Sequence, residues 1–140
     1  MPYYRLYYHF IWTTKNRAPI ITASNQKAIF AVIQEKVVAL NGIVHALNGM
    51  SDHVHLVASV PPSLKLSDFI GQIKGVSSHL ARSLTDKGDF GWQGEYGVLS
   101  ISESHVATVV RYVENQQKHH ADHTLDARLE LSSPPDAAPD

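Results

Sequence analysis

Between Ser51 and Ser59 the chain reads SDHVHLVAS, with two histidines placed two residues apart inside an apolar run. On a strand, successive side chains point to opposite faces, so His53 and His55 share one face while Val54, Leu56 and Ala58 share the other. The second face can be buried against a core. The first, with paired imidazoles followed by Val57 and Ser59, is a poor core surface and a good place to hold something. The rest of the chain has to supply a cover for the apolar face and a purpose for the polar one.

The flanking pattern supplies the cover. Residues 3–14, YYRLYYHFIWTT, read as a strand, with Tyr4, Leu6, Tyr8, Phe10 and Trp12 toward the core and Arg5, Tyr7, His9, Ile11 and Thr13 on the other side. Ile29, Val32, Ile33, Val37 and Leu40 recur at helical spacing. They predict a first helix from about Ser24, its N-cap, to Leu40, stopped by Asn41-Gly42. A strand over 43–47, a turn over 48–52 and the histidine strand form a hairpin. Beyond Pro61-Pro62 a second helix runs from about Leu66 to Leu84, burying Leu66, Phe69, Ile70, Ile73, Val76 and Leu80. Residues 90–101 read as a glycine-interrupted strand. A third helix opens at Ser102-Glu103 and reaches about His120, with Val106, Val109, Val110 and Val113 as its apolar stripe.

The order βαββαβα begins with the split βαβ pattern, which predicts an α+β, ferredoxin-like (RRM-like) sandwich with an antiparallel sheet and one added C-terminal helix. Helices one and two cover one sheet face. The polar side of the first strand and the His53/His55 face lie together on the other. The third helix either packs across that side or reaches a partner.

At 140 residues, with 44% hydrophobic and 18% charged residues, the chain reads as one soluble domain. It has no cysteine, which excludes disulfides, thiolate metal sites and cysteine nucleophiles. No apolar run is long enough to span a bilayer, and MPYYRLYYHF lacks the plan of a signal peptide. A cytoplasmic protein with no membrane partner is expected. From residue 121 on there are five acids and one base, against 8 acids and 11 bases before it. The expected organisation is therefore a mildly basic domain, 1–120, and an acidic, disordered tail, 121–140.

On the third helix, SHVATVVRYVENQQKHH, Tyr112 and Gln116 are four residues apart and share a face, with Thr108 and His119 beside them. Taken singly, each of these residues has a plain structural reading. Taken together, DHVHLV, PPSLKLSDFIGQIKG, WQGEYG and YVENQQKHH resemble the single-tyrosine HUH transposases of the smallest bacterial insertion sequences (the IS200-like transposase domain). HUH denotes histidine, hydrophobic residue, histidine, here His53-Val54-His55. The resemblance runs from YRLYYHFIWTTKNR to about His120.

The resemblance implies a single-stranded DNA endonuclease and strand transferase that catalyses DNA transposition on substrates with hairpin ends. It implies His53 and His55 as metal ligands, Gln116 as the residue completing the metal shell, Tyr112 as the nucleophile, and a homodimer. Elementary chemistry agrees. Phosphodiester cleavage needs charge neutralised on the non-bridging oxygens, which a divalent metal provides, and neutral imidazoles and an amide oxygen hold such an ion without cancelling its charge. Imidazole favours Mn²⁺, Ni²⁺ or Zn²⁺ over Mg²⁺, whereas abundance favours Mg²⁺, so Mg²⁺ and Mn²⁺ are both expected candidates. Attack by tyrosine yields a 5′-phosphotyrosine and a free 3′-OH, and the ester retains the energy for rejoining. A metal-bound hydroxide, His9 and His119 are candidates for taking the phenolic proton. Arg5, Lys15, Arg17, Lys65 and Lys74 are candidates for DNA contact, with aromatic rings available for stacking on unpaired bases. Two alternatives stand beside this reading: a domesticated, repeat-associated tyrosine transposase acting on host hairpins, and a non-catalytic single-stranded DNA- or RNA-binding module on the same fold.

Overall fold

The computed structural model describes residues 2–85 and 88–134. Its sheet has four antiparallel strands, β1 (Tyr7–Thr13), β2 (Ile43–Met50), β3 (His53–Ser59) and β4 (Gly97–Ile101), in the order β2-β3-β1-β4. Two helices, α1 (Gln26–Ala39) and α2 (Leu66–Ser83), cover one face. This is the split βαβ arrangement, with β3 inserted between β1 and β2.

The alternation in β1 and β3 builds the core. Phe10 and Trp12 face Leu56, Val54 and Ala58 across the antiparallel register and meet Ile29, Ile33, Phe69, Ile70 and Ile73 from the helices. All are essentially fully buried, each contributing about 1.5–3 kcal/mol of apolar transfer. Trp92, on the segment before β4, packs edge-on against Trp12 with ring centroids 5.9 Å apart, and its Nε1 donates to Ser77 Oγ at 2.9 Å.

Several boundaries differ from the sequence reading for local reasons. The turn expected over 48–52 shrinks to Ser51-Asp52, because β2 keeps pairing with β3 through Met50. Helix α1 starts at Gln26, not Ser24. Asn25 is buried, its Oδ1 accepts from Thr22 N at 2.7 Å, and Ser24 instead shares a hydroxyl hydrogen bond with Thr22. Its C-terminus falls where expected, with Asn41 in the left-handed region (φ 64°) and Gly42 N donating to Val37 O.

The third helix is not continuous. A 3₁₀ turn at Glu103–His105 leads into α3 (Val106–Glu114), which ends at the non-helical Asn115 (φ −103°, ψ 26°), and α4 (Gln116–Asp122) follows. An amide clasp from the sheet holds this break. Asn48 Nδ2 donates toward the carbonyls of Val113 and Glu114, and Gln117 Nε2 donates to Asn48 Oδ1 at 2.8 Å and Gly49 O at 3.0 Å.

The tail expected from residue 121 has an assigned course as far as Pro134, and only residues 135–140 of it lie outside the described residues. His123 adopts a left-handed conformation (φ 55°) and reverses the chain after α4. A strap, residues 124–132, then returns across the sheet, with Leu129 packed beside Val113, Val109 and Ile101. Gly97 makes this approach possible, since a Cβ there would collide with Leu131 O. Composition alone reads this stretch as a tail because its acids carry charge without an apolar stripe; its anchor is long-range. Among the described residues no helix is long and apolar enough to cross a membrane.

Candidate active site

The second sheet face is where His53 and His55 point. In the antiparallel register His55 lies opposite Ile11 on β1 and Asn48 on β2, and His53 lies opposite Thr13 and Met50. Helices α3 and α4 and the strap roof this face, so His53, His55 and His9 are all buried. The face read from sequence as polar is thus enclosed by the chain's own third layer.

Each strand histidine has its far nitrogen anchored. Asp52 Oδ1 sits 2.7 Å from His53 Nδ1, and His9 Nε2 sits 2.9 Å from His55 Nδ1. Such partners fix which ring nitrogen is free to act, and here Nε2 of each ring faces the roof. The two rings meet edge-on with centroids 5.1 Å apart. Burial, reinforced by the neighbouring His55, pushes His9 down to about 3, so it is a neutral support. Burial pushes His55 down as well, against the pull of Glu130.

From the roof, α3 brings Tyr112 and α4 brings Gln116, both buried. Gln116 Oε1 lies 3.3 Å from His53 Nε2. The Tyr112 ring is 6.3 Å from the His55 ring and stacks on His119 with centroids 4.5 Å apart. The Tyr112 hydroxyl accepts from Asp126 N at 3.0 Å and donates to Glu130 Oε2. Burial and that carboxylate push the phenol up to about 12. Burial alone would raise Glu130, but hydrogen bonds with His55, Tyr112 and Gln116 outweigh it and hold the carboxyl down at about 2.

Glu130 and His120 are participants that sequence reasoning missed. Glu130 Oε1 lies 3.2 Å from His55 Nε2, 3.6 Å from His53 Nε2 and 3.9 Å from His120 Nε2. His53, His120 and Glu130 offer ligand atoms within 4.8 Å of one another, as a shared cation would need. The sequence signals for His120 were its position four residues after Gln116 and its place at the end of YVENQQKHH, and neither gave it a role. Glu130 had none.

The two histidine candidates for the phenolic proton are placed elsewhere. His9 pairs with His55, and His119 lies flat on the tyrosine ring with its Nδ1 2.9 Å from Thr124 Oγ1. The five basic candidates are also dispersed. Arg17 Nε is 3.3 Å from Asp52 Oδ2, which links it to His53, and Arg5 pairs with Glu103. Lys15 is exposed in the turn beside Gly91. Lys65 and Lys74 belong to the α2 layer, across the sheet from the histidines. Lys74 is engaged by the carbonyls of Gln93 and Glu95 at 2.6 and 3.2 Å.

The chain is thus an α+β protein with a ferredoxin-like sheet that presents a His-x-His pair beneath a helix-borne tyrosine. The comparisons narrow the class to a family. The family Transposase IS200 like matches residues 2–116, and this chain belongs to it. The chain is 31% identical over 120 residues to the ISDra2 transposase TnpA of Deinococcus radiodurans, spanning 81% of this chain and 85% of that one. It is 25% identical over 71 residues to the transposase for insertion sequence element IS200 of Salmonella typhimurium, covering 51% of this chain and 47% of that one. A crystal structure from Deinococcus radiodurans R1, described as a transposase, aligns with a TM-score of 0.66 at 28% identity, over 83% of this chain and 95% of that one. The REP-associated tyrosine transposase bound to a REP hairpin aligns with a TM-score of 0.65 over 86% of this chain and 74% of that one. At 16% identity that likeness speaks to the fold. Membership in this family makes the chain a DNA transposition enzyme.

Proposed function

We propose that this transposase is a metal-assisted, single-stranded DNA endonuclease and strand transferase with Tyr112 as its nucleophile. The observation that carries the reading is the placement of the Tyr112 hydroxyl and the His53 and His55 Nε2 atoms around one carboxylate, Glu130. A carboxylate held there stands where an anionic phosphodiester would have to lie, between nucleophile and imidazoles.

His53, His55 and Gln116 present neutral nitrogen and oxygen donors, suited to Mg²⁺ or Mn²⁺. The ion, when bound, neutralises charge on the non-bridging phosphate oxygens. The chain's own residues do the rest. Asp52 and His9 hold the histidine tautomers. Helix α3 and the stack on His119 orient the tyrosine. Glu130 yields its place to the phosphate, and the phenolic proton that Glu130 had held passes to solvent water. The Tyr112 oxygen then forms a bond to phosphorus as the bond from phosphorus to the DNA 3′ oxygen breaks. That oxygen takes up a proton and leaves as a 3′-OH, with the 5′-phosphate on tyrosine. Attack by a 3′-OH reverses the step and joins strands.

The substrate in this reading is single-stranded DNA carrying hairpins, in line with the REP hairpin bound by the structural relative. Arg17, tied to the site through Asp52, and the exposed Lys15 are the best placed of the basic residues to meet the backbone. Homodimer assembly belongs to the same reading, with β2 and β4 as the sheet's two edges. Light scattering at micromolar concentration tests it, and a mass of one chain removes it.

The deciding experiment incubates the protein with 3′-labelled single-stranded hairpin DNA and Mg²⁺ or Mn²⁺ and resolves the products on a denaturing gel. A labelled protein–DNA adduct that EDTA abolishes and Tyr112→Phe cannot form is the expected result. An adduct formed by Tyr112→Phe transfers the role to another residue. No adduct on any hairpin drawn from the DNA flanking the gene refutes the reading.

A further inference from the structure

Three donor atoms form a nearly equilateral triangle beneath α4. His53 Nε2 to His120 Nε2 is 3.2 Å, His53 Nε2 to Gln116 Oε1 is 3.3 Å, and His120 Nε2 to Gln116 Oε1 is 3.1 Å. An ion about 2.0–2.3 Å from each corner fits over a triangle of that size, the range for divalent ions and imidazole nitrogen or amide oxygen. We propose that His120 is a metal ligand of this transposase, joining His53 and Gln116 on one face of the ion's shell.

The hydrogen bonds around the triangle point the same way. Asp52, 2.7 Å from His53 Nδ1, keeps a proton on that nitrogen and leaves a lone pair at Nε2. Gln116 Nε2 donates to Glu130 Oε2 at 3.3 Å, which turns Oε1, another lone-pair atom, toward the histidines. Two lone pairs 3.3 Å apart need positive charge between them. Either His120 supplies it as an Nε2–H donor or, with His120 in its other tautomer adding a third lone pair, a bound cation does.

The fold places His120 for this. It lies one turn beyond Gln116 on α4, so both side chains leave the helix on one face. The break at Asn115 and the Asn48–Gln117 clasp aim that face at His53, whose ring centroid is 4.9 Å from that of His120. A shell with an added imidazole selects Mn²⁺ or another imidazole-preferring ion over Mg²⁺ more strongly than His53, His55 and Gln116 alone.

The proposal rests on the metal-dependent reading above, and the test separates the two. Full-length wild type, His53→Ala, His120→Ala and His120→Gln are titrated with Mn²⁺ by calorimetry, without DNA, after circular dichroism confirms folding. Mn²⁺ bound to ¹⁵N-histidine-labelled protein is then read by electron-spin-echo modulation. His120→Ala is expected to weaken Mn²⁺ by about tenfold or more and to remove one histidine nitrogen from the echo pattern. Should His120→Ala not fold, the loss of that nitrogen in His120→Gln supports the proposal equally. If His53→Ala loses Mn²⁺ while both His120 variants bind it with wild-type affinity and nitrogen count, His120 is only a hydrogen-bond donor, and the nuclease reading stands without it. If wild type itself takes up no Mn²⁺, both fall.

Discussion

The hydroxyl of Tyr112 donates to Glu130, and the same carboxylate reaches His55 Nε2 at 3.2 Å with its other oxygen. One side chain from the C-terminal strap therefore connects Tyr112 on the roof to the histidines on the sheet. In this state the tyrosine holds its proton tightly, because burial and the adjacent anion push its phenol up to about 12.

Removing that anion should make Tyr112 more acidic. Glu130→Gln keeps the shape and discards the charge, so the phenol is expected to fall by roughly a unit toward the ordinary tyrosine value near 10. Ultraviolet difference titration of phenolate, with Tyr112→Phe to assign the signal, checks this. An unchanged midpoint would mean that burial alone sets the value.

Tyr112→Phe should abolish adduct formation, by at least about a thousandfold, and leave single-stranded DNA affinity within about twofold, because the ring and its stack on His119 remain. Two hydrogen bonds are lost, from Asp126 N and to the charged Glu130, together worth about 2–4 kcal/mol, so the melting temperature should fall by roughly ten degrees while the protein stays folded at 25 °C. Fluorescence anisotropy and thermal melts separate the effects. A parallel loss of DNA binding would assign the hydroxyl to recognition instead of chemistry.

How far the sequence reached depended on the distance between partners. Alternation in β1 and β3 exposed the core rows, and helical spacing exposed Tyr112 with Gln116, because each pattern is local. The break at Asn115 was hidden, since its cause is Asn48, more than sixty positions away and on another element. His120 looked like a helix end because its partner is His53, and Glu130 looked like one acid among several in a tail. The pairing of His9 with His55 was equally silent: both were placed on one sheet face, but their contact depends on the β1–β3 register.

Gly97 should act as the seat of the strap. A methyl there meets Leu131 O, a backbone atom that cannot swing aside. Gly97→Ala is expected to lift residues 124–132 while leaving the Phe10–Phe69 core intact. Limited proteolysis should then cut beyond His123 at least several-fold faster, and the Tyr112 phenol should become more acidic, as in Glu130→Gln. Unchanged cleavage would mean that the strap shifts as a unit and docks elsewhere on β4.

Acid should weaken the fold through His9 before it reaches Glu130. Burial holds His9 at about 3 in the folded chain against an ordinary 6.5, so below about 6.5 the unfolded chain binds a proton that the folded chain refuses. Stability is therefore whole above pH 6.5 and declines as pH falls toward 3. Glu130, held at about 2 against an ordinary 4.5, adds loss of the same sign only between about 4.5 and 2. Urea midpoints measured from about pH 7.5 to 4.5 isolate the histidine window. His9→Phe, which fills the same space with no titrating nitrogen, should flatten the decline there. Some slope should remain, because His55 and His120 are also lowered by burial. The Phe variant also leaves His55 Nδ1 without its partner, so Mn²⁺ affinity should fall about ten- to a hundredfold even where stability is gained. A wild-type slope in His9→Phe would place the acid sensitivity in the other histidines. Unchanged Mn²⁺ affinity would show that His55 does not depend on His9 for its orientation.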